Sequence, residues 1–237
     1  MNDRPPPGRP EADPPSRGAG AAGVSGARRI GLLGGTFDPV HNAHLALARA
    51  ARSALALDGL RWIPAGRPWQ KDRAVTPAVH REAMVRLAIE DEPGDVLDRR
   101  EIERAGPSYM LDTVQALAAA EPGAEWVLVI GQDQYARLHT WHDWPRLLGL
   151  VTLAVAARPG PPGLRDAGLP APEVQALGPR VLRLPMPPLD ISSTAIRRLA
   201  AAGGDLSQLV PPKVARYIDL QGLYRAPNAD GLHPTGS

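Results

Sequence analysis

Short apolar segments alternate with longer segments of helical periodicity along the central part of the chain. Runs rich in Val, Ile and Leu that are bounded by Gly, Pro or charged residues predict β-strands, and apolar residues three or four positions apart predict helices. The predicted strands are Arg29 to Leu33, Leu60 to Ile63, Val96 to Leu97, Glu125 to Ile130, Val151 to Ala156 and Arg180 to Leu184. The predicted helices are Leu45 to Leu55, Val79 to Ala88, Leu111 to Ala118 with Ser108 as its N-cap, Thr194 to Ala202 and Lys213 to Leu220.

This alternation predicts an α/β fold, a Rossmann-like doubly wound parallel sheet with helices on both faces. Open sheets of this kind bind ligands at the carboxyl ends of their strands, so we expect functional residues on the loops that leave those ends. The stretch from Arg158 to Pro179 is rich in Gly and Pro and has weak periodicity, which predicts a long loop or an insertion.

Both ends of the chain differ from this central part. Residues 1–27 and 225–237 are rich in Pro, Gly and polar residues and poor in large apolar side chains. Burial therefore cannot offset the entropy lost on ordering them. We predict one folded domain over residues 28–224 with a disordered tail on each side.

Composition narrows the chemistry. The chain has 237 residues, a formal net charge of +2 and no cysteine, which excludes disulfides, thiolate metal sites and cysteine nucleophiles. It has no dense Lys/Arg block and no basic stripe with interleaved aromatic residues, which argues against nucleic acid as a partner. Because no apolar run approaches the roughly 18 residues of a membrane span and no secretory signal is present, we expect no membrane association and a cytoplasmic location.

A Gly-Gly turn joins the first predicted strand to the first predicted helix, and residues 34–44 read GGTFDPVHNAH. Gly34 and Gly35 permit close approach to the backbone, and a helix N-terminus offers unpaired N–H groups to an anion. His41 and His44, three residues apart, face the same helix end. The combination predicts a phosphate site, although a tight turn without any ligand would use the same glycines.

Paired histidines are also a metal-binding pattern, and a second pair, His139 and His142, lies downstream. The two pairs belong to separate segments and lack the Glu of an H-E-x-x-H site, so metal ligation is the less favoured interpretation and no protein metal ligand is predicted. His139 and His142 flank Trp141 in a predicted loop and are interpreted as polar surface residues. The glycine pattern matches neither a P-loop nor a dinucleotide fingerprint.

A second polar segment, ISSTAIR at residues 191–197, follows the last predicted strand and opens a helix. Ser192 or Ser193 is suited to cap that helix, which would explain the hydroxyl groups without a ligand. Arg197 lies one helical turn after Ser193 and adds a planar cation with several N–H donors at the same helix end. Hydroxyl groups, backbone N–H groups and a guanidinium together suit a polyphosphate.

The two segments resemble the paired signatures of the HxGH-type nucleotidyltransferases. Over Gly34 to Tyr224 the chain is similar to the bacterial nicotinate mononucleotide adenylyltransferases. Besides the two signatures, the similarity rests on Trp62-Ile63-Pro64, Pro107-Ser108-Tyr109, Gly131-Gln132-Asp133, Thr140-Trp141 and Arg158-Pro159-Gly160. The departures are Ala43, Gln70 and Met110, where the family usually has Gly, His and Thr.

The resemblance implies a nucleotidyltransferase-type fold that transfers the adenylyl group of ATP to nicotinate mononucleotide in NAD biosynthesis, with Mg²⁺ held by the ATP phosphates. It implies that ATP is bound by Gly34, Gly35, Thr36, Phe37, His41, His44, Asp133, Arg158, Ser193, Thr194 and Arg197. The mononucleotide would be bound by Lys71, Ser108, Tyr109 and Trp141, and the catalytic set would be His41, His44, Lys71 and Arg197. Trp141 is also interpretable as a packed loop anchor. Assembly into a homo-oligomer and the preference between nicotinate and nicotinamide are left open.

No activated Ser or Cys nucleophile is evident, so we expect two phosphates to be joined directly, without a covalent enzyme intermediate. The site must then align the attacking oxygen with the α-phosphorus of ATP and stabilise the charge that grows on pyrophosphate. Two alternatives stay open: another adenylyltransferase, such as the phosphopantetheine type, which shares the S-S-T-x-x-R ending, and a nucleotide-binding module without turnover.

Overall fold

The computed structural model describes residues 27–67, 75–157, 181–187 and 189–225. Within these ranges six parallel strands form one sheet in the order β3-β2-β1-β4-β5-β6. The strands are β1 (Arg29–Gly35), β2 (Gly59–Pro64), β3 (Asp95–Leu97), β4 (Glu125–Gly131), β5 (Thr152–Ala157) and β6 (Val181–Pro185). The predicted doubly wound parallel sheet is confirmed, and each predicted strand is found to within two residues at either end.

The helices of the described ranges cover both faces of the sheet. They are α1 (Asn42–Leu55), α2 (Ala78–Ile89), α3 (Arg100–Glu103), α4 (Met110–Ala120), α5 (Gln132–Ala136), α6 (Trp144–Leu150), α7 (Ser193–Ala201) and α8 (Pro212–Leu220), with a 3₁₀ turn at Leu138–Thr140. The sequence predicted α1, α2, α4, α7 and α8. It missed α3, α5, α6 and the 3₁₀ turn because none is long enough to show a helical period.

An apolar core packs against each face of the sheet. Successive residues of a strand point to opposite faces, so Leu33 packs with α1, α2, α7 and α8 while Leu32 packs with α4, α5 and α6. Leu32 and Leu128 of the central strands are fully buried, and full burial of one such side chain stabilises the fold by roughly 2 kcal/mol. The carboxyl ends of β1 and β4 are therefore held in place from both sides.

Strand order reverses between β1 and β4, because the chain builds β2 and β3 on one side of β1 before it crosses to β4. In a doubly wound sheet this reversal opens a crevice at the carboxyl ends of the two strands. The loops that leave β1 and β4 border this crevice, as the sequence predicted.

One local prediction is wrong. Ser108 does not cap α4, because the cap residue is Tyr109. The hydroxyl oxygen of Ser108 instead accepts the backbone N–H groups of Gly66 (3.0 Å) and Arg67 (3.3 Å), which follow β2. Ser108 thus joins two loops rather than ending a helix.

Other predictions fall almost wholly on residues outside the described ranges. These are the tails at residues 1–27 and 225–237 and the loop from Arg158 to Pro179, which stay predictions. Of the helices in the described ranges, none combines the length and the apolar character needed to span a bilayer.

Candidate active site

A cavity of about 560 Å³ lies at the carboxyl ends of β1 and β4. Its walls come from the loops after β1, β4 and β6, the first turn of α1 and the segment before α4. Of the predicted site residues, those that line it are Gly34, Gly35, Thr36, Phe37, His41, His44, Ser108, Tyr109, Asp133, Trp141 and Ser193. One cavity therefore brings together residues from both signatures and from the segments between them.

The remaining predicted residues stand elsewhere. Lys71 and Arg158 lie outside the described residues. Thr194 and Arg197 are described, but they are not among the residues that line the cavity in this part of the chain.

Arg197 and Ser193 join the second signature to the first. The Nη1 of Arg197 donates to the carbonyl oxygen of Asp38 at 2.7 Å, and its Nη2 donates to Oγ1 of Thr194 at 3.2 Å. The hydroxyl of Ser193 donates to the carbonyl of Pro39 at 3.0 Å. The cap of α7 is Ser192, whose hydroxyl accepts the N–H of Ala195. The two segments, more than 150 residues apart, thus meet at one side of the cavity.

His41 and His44 form a stacked pair at the start of α1. Their ring centroids lie 3.6 Å apart, and the backbone N–H of His41 donates to Nδ1 of His44 at 3.2 Å. Since Nδ1 of His44 accepts, a neutral ring carries its proton on Nε2, which makes Nε2 a donor. Burial, and secondarily the neighbouring His41, lower the pKa of His44 well below 6.5. His44 is therefore a neutral donor at pH 7.

His41 is buried, with 6% of its surface exposed, and burial lowers its pKa from 6.5 to about 4. Its Nδ1 is buried and meets no hydrogen-bond partner among the described residues. The ring is neutral at pH 7, and it lines the cavity.

We expect the free energy of unfolding to fall between pH 6.5 and pH 4, in part because of His41. Below pH 6.5 the His41 side chain binds a proton in the unfolded chain, whereas in the folded chain it stays neutral down to about pH 4. The loss from this group approaches roughly 1.4 kcal/mol per pH unit. Urea unfolding at pH 7.5 and at pH 5 measures the difference in the free energy of unfolding between the two pH values. The His41→Gln variant should show a smaller difference between the two pH values than wild type, and the exposed His139→Gln control should not. Equal differences in wild type and His41→Gln would refute this assignment.

Phe37 fixes the loop between β1 and α1. It is buried (2% exposed) although its φ of 49° lies in the left-handed region that disfavours residues with a side chain. Its ring meets the ring of His44 edge-on at 5.0 Å and lies 5.6 Å from Trp62. This packing holds the loop in its unfavourable conformation and sets the orientation of His44.

The sequence did not indicate Arg81, whose side chain hydrogen-bonds to the loops near the cavity. This side chain of α2 is 1% exposed and donates to the carbonyl groups of Thr36 (2.9 Å), Gly66 (3.2 Å) and Thr76 (2.8 Å). Burial lowers the pKa of Arg81. The signal in the sequence was an arginine three and four positions before Met84 and Val85, on the apolar face of a helix.

Aromatic rings from other segments also line the cavity. Tyr109 and His142 stack with centroids 4.4 Å apart, and both line the cavity. His142 is exposed, as interpreted from the sequence, but it also belongs to the site, which the sequence did not indicate. Trp141 both lines the cavity and packs against the core around α4 to α6.

Glu101 is a second residue that the sequence did not reveal. It lines the cavity with 4% of its surface exposed, and burial raises the pKa of its carboxyl group. Thr113 donates to it at 2.8 Å. Residues 99–104 read RREIER, a charge run that is typical of a solvated surface, so nothing in the pattern set Glu101 apart.

Comparison with known proteins agrees with this geometry. The cytidylyltransferase-like family matches residues 32–199. A probable nicotinate-nucleotide adenylyltransferase from Methylibium petroleiphilum is 55% identical over 208 residues, which cover 86% of this chain and 96% of that protein. Another from Bordetella petrii is 49% identical over 198 residues, or 84% of this chain and all of that protein.

The chain belongs to the nicotinate-nucleotide adenylyltransferase family. Members of this family are nucleotidyltransferases, so the chain is an enzyme of that class. The fold agrees: a Plasmodium falciparum nicotinic acid mononucleotide adenylyltransferase, solved in complexes with APC and with NaAD, superposes with a TM-score of 0.66 at 17% identity, over 83% of this chain and 97% of that one. At that identity the likeness establishes the nucleotidyltransferase fold.

Proposed function

We propose that this chain transfers the adenylyl group of ATP to nicotinate mononucleotide and releases pyrophosphate, a step in NAD biosynthesis. The observation that carries the proposal is that Arg197 and Ser193 of one signature bond the loop of the other at the edge of a single cavity. Relatives that cover 84–86% of the chain bear the name of this activity, and the Plasmodium protein of the same fold was solved with NaAD.

The reaction needs no nucleophile from the protein. A phosphate oxygen of the mononucleotide attacks the α-phosphorus of ATP, a new P–O bond forms, and the bond from that phosphorus to the bridging oxygen breaks as pyrophosphate leaves with the electron pair. The protein has to align the two phosphates and stabilise the charge on the leaving group.

The start of α1 suits the leaving group. Its first turn holds no acidic residue, so the positive end of the helix dipole is not neutralised from within. Ala43 and His44 of that turn line the cavity, and His44 offers its Nε2 proton. We assign the pyrophosphate to this end, with Gly34, Gly35 and His41 beside it. The roles of Thr194 and Arg158 in ATP binding and of Lys71 in catalysis and mononucleotide binding stay predictions from the sequence.

The mononucleotide is assigned to the part of the cavity that carries aromatic rings. Ser108, Tyr109 and Trp141 line that part of the cavity together with His142, and the aromatic rings offer flat faces to a pyridine ring. Asp133, at the first turn of α5 and also on the cavity, is assigned to the adenosine part of ATP.

We propose that magnesium enters as the ATP complex, held by phosphate oxygens and water, where it would offset phosphate charge. The described residues contain no group of three His, Asp or Glu side chains placed to hold a metal ion. In the proposed complex the phosphates and water supply the oxygen ligands that Mg²⁺ prefers.

Pyrophosphate release tests the proposal. The purified chain is given ATP and magnesium with nicotinate mononucleotide, nicotinamide mononucleotide or phosphopantetheine in turn, and each reaction is repeated without acceptor. We expect release that depends on nicotinate mononucleotide. Release with phosphopantetheine alone would assign the chain to the other adenylyltransferase type, and ATP binding without release from any acceptor would make it a binding module.

A further inference from the structure

We propose that Tyr224 is a positioning residue for adenylyl transfer: its hydroxyl group holds the side chain of Asp38 and thereby the loop that carries the first signature. The inference rests on the proposed function. Tyr224 stands at the far end of the folded chain, 186 positions after Asp38, and donates to Oδ1 of Asp38 at 2.8 Å. It does not line the cavity in the described part of the chain, so it acts on the reaction only through the loop.

Asp38 is the residue on which the contacts to the loop converge. It is buried, with 1% of its surface exposed, and a buried carboxylate has to be hydrogen-bonded or paired with a charge. Tyr224 bonds its side chain, the buried Arg81 guanidinium lies near enough to interact with its charge, and Arg197 bonds its carbonyl group. The side chain and the backbone of Asp38 are thus held by different parts of the chain.

The hydroxyl of Tyr224 remains a donor across the pH range of the enzyme. Burial, and next the charge of Asp38, raise the pKa of Tyr224 far above its usual value of 10. Thr76, whose carbonyl group receives Arg81, also bonds the Tyr224 side chain. The same hydroxyl therefore ties the loop after β1 to the segment before α2.

The backbone places Tyr224 for this contact. After α8 the chain turns sharply, with the N–H of Leu223 donating to the carbonyl of Ile218 at 3.0 Å. Gly222 and Tyr224 have φ values of 59° and 65°, and the second of these is unfavourable for a residue with a side chain. Tyr224 packs against the core around α1, α2, α7 and α8. A strained conformation held at the end of a domain indicates that the position of this side chain matters.

Tyr217 provides a matched comparison. It lies one helical turn before the end of α8, and its hydroxyl lies 3.0 Å from Nδ1 of His80 on α2. The hydroxyl of Tyr217 connects two helices, whereas that of Tyr224 connects separate segments, and the partner of Tyr217 is not in the loop after β1. Loss of either hydroxyl therefore removes a hydrogen bond of a partly buried tyrosine side chain. Only the loss of the Tyr224 hydroxyl removes a contact to the loop that carries the first signature.

The test compares Tyr224→Phe with Tyr217→Phe. We expect both variants to fold, with a larger loss of melting temperature in Tyr224→Phe because it leaves a buried carboxylate with one donor fewer. Tyr224→Phe should lower kcat about tenfold, the effect of one lost charge-assisted hydrogen bond, with KM for both substrates within about twofold. Tyr217→Phe should keep the kcat of wild type. Equal kcat values in the two variants, or unchanged kinetics in Tyr224→Phe, would overturn the proposal.

A double-mutant cycle with Asp38→Ala, which removes the acceptor, tests the route of the effect. If Tyr224 acts through Asp38, adding Tyr224→Phe to Asp38→Ala should cost less than twofold in kcat, whereas additive losses would show that the route is wrong. Should Tyr224→Phe not fold, Thr76→Val removes the other partner of the hydroxyl and should lower kcat two- to threefold in the same way. Unchanged kcat in a folded Thr76→Val would then contradict the proposal.

Hydrogen exchange separates this proposal from the proposed function. If the wild-type chain releases no pyrophosphate, the function is refuted. The positioning role is still tested, because backbone amides of residues 36–41 should exchange faster in Tyr224→Phe than in Tyr217→Phe. Equal exchange rates in that segment would refute the positioning role.

Discussion

The His44→Ala variant should turn over substrate about 10²- to 10³-fold more slowly than wild type, the usual cost of removing one donor to a developing oxyanion. His44 accepts the N–H of His41 through Nδ1, so its Nε2 carries the proton that it would donate to the growing charge on pyrophosphate in the proposed reaction. The loss should fall on kcat, because the charge on the leaving group develops only as the P–O bond breaks.

The fold should survive this change. His44 lies at a helix start, on a cavity wall, and its ring packs on Phe37 and His41, so its removal should cost on the order of 1 kcal/mol of stability. The control is His139→Ala, an exposed histidine of the 3₁₀ turn that does not line the cavity. Steady-state pyrophosphate release and a thermal melt measure both variants. If His44→Ala keeps more than a third of wild-type turnover, His44 has no role in stabilising the transition state.

The sequence predicted the sheet well because both of its faces are buried. A strand covered by helices on both sides reads as a nearly continuous apolar run between turn residues, and the run before Gly131 is an example, with Trp126 to Ile130 all buried. The short helix α6 was missed for the opposite reason. It spans seven residues with one buried side chain, Leu147, too few for a periodic signal.

The site was predictable where one local segment carries the chemistry. GGTFDPVHNAH holds two glycines, two histidines and a helix start within 11 consecutive residues, and the structure places Gly34, His41 and His44 on one cavity. Residues that act through distant partners were not predictable. The bond of Tyr224 to Asp38 spans 186 positions and that of Arg81 to Thr36 spans 45, and no periodicity relates such pairs.

The structure adds contacts between the two signatures that the sequence did not indicate. From the sequence, Ser193 and Arg197 were expected to face a phosphate directly. In the structure the Ser193 hydroxyl donates to the carbonyl of Pro39 and Nη1 of Arg197 donates to that of Asp38, while contact with a phosphate stays a prediction. A hydroxyl and a guanidinium at a helix start are suited to an anion, but a carbonyl oxygen accepts the same donors, and only the folded chain shows which acceptor is near.

Arg197→Lys should therefore lower kcat/KM by roughly 30- to 100-fold, although the positive charge is kept. The planar guanidinium uses two nitrogen atoms at once, Nη1 on the carbonyl of Asp38 and Nη2 on the hydroxyl of Thr194. The single ammonium group of a lysine cannot span two fixed acceptors that the fork of arginine spans. The loop after β1 would then be fixed less firmly where ATP is proposed to bind.

Arg198→Lys is the control, since Arg198 is the next residue of α7, is exposed, and undergoes the same chemical change. We expect its kinetics to match wild type, whereas Arg197→Lys should lose kcat/KM with a change of melting temperature of no more than a few degrees. Comparison of kcat/KM with the melting temperature decides the role of Arg197. A lower melting temperature with unchanged kcat/KM would show that Arg197 stabilises the fold and has no role in catalysis. If the loop needed Arg197 for catalysis, the substitution would slow the reaction.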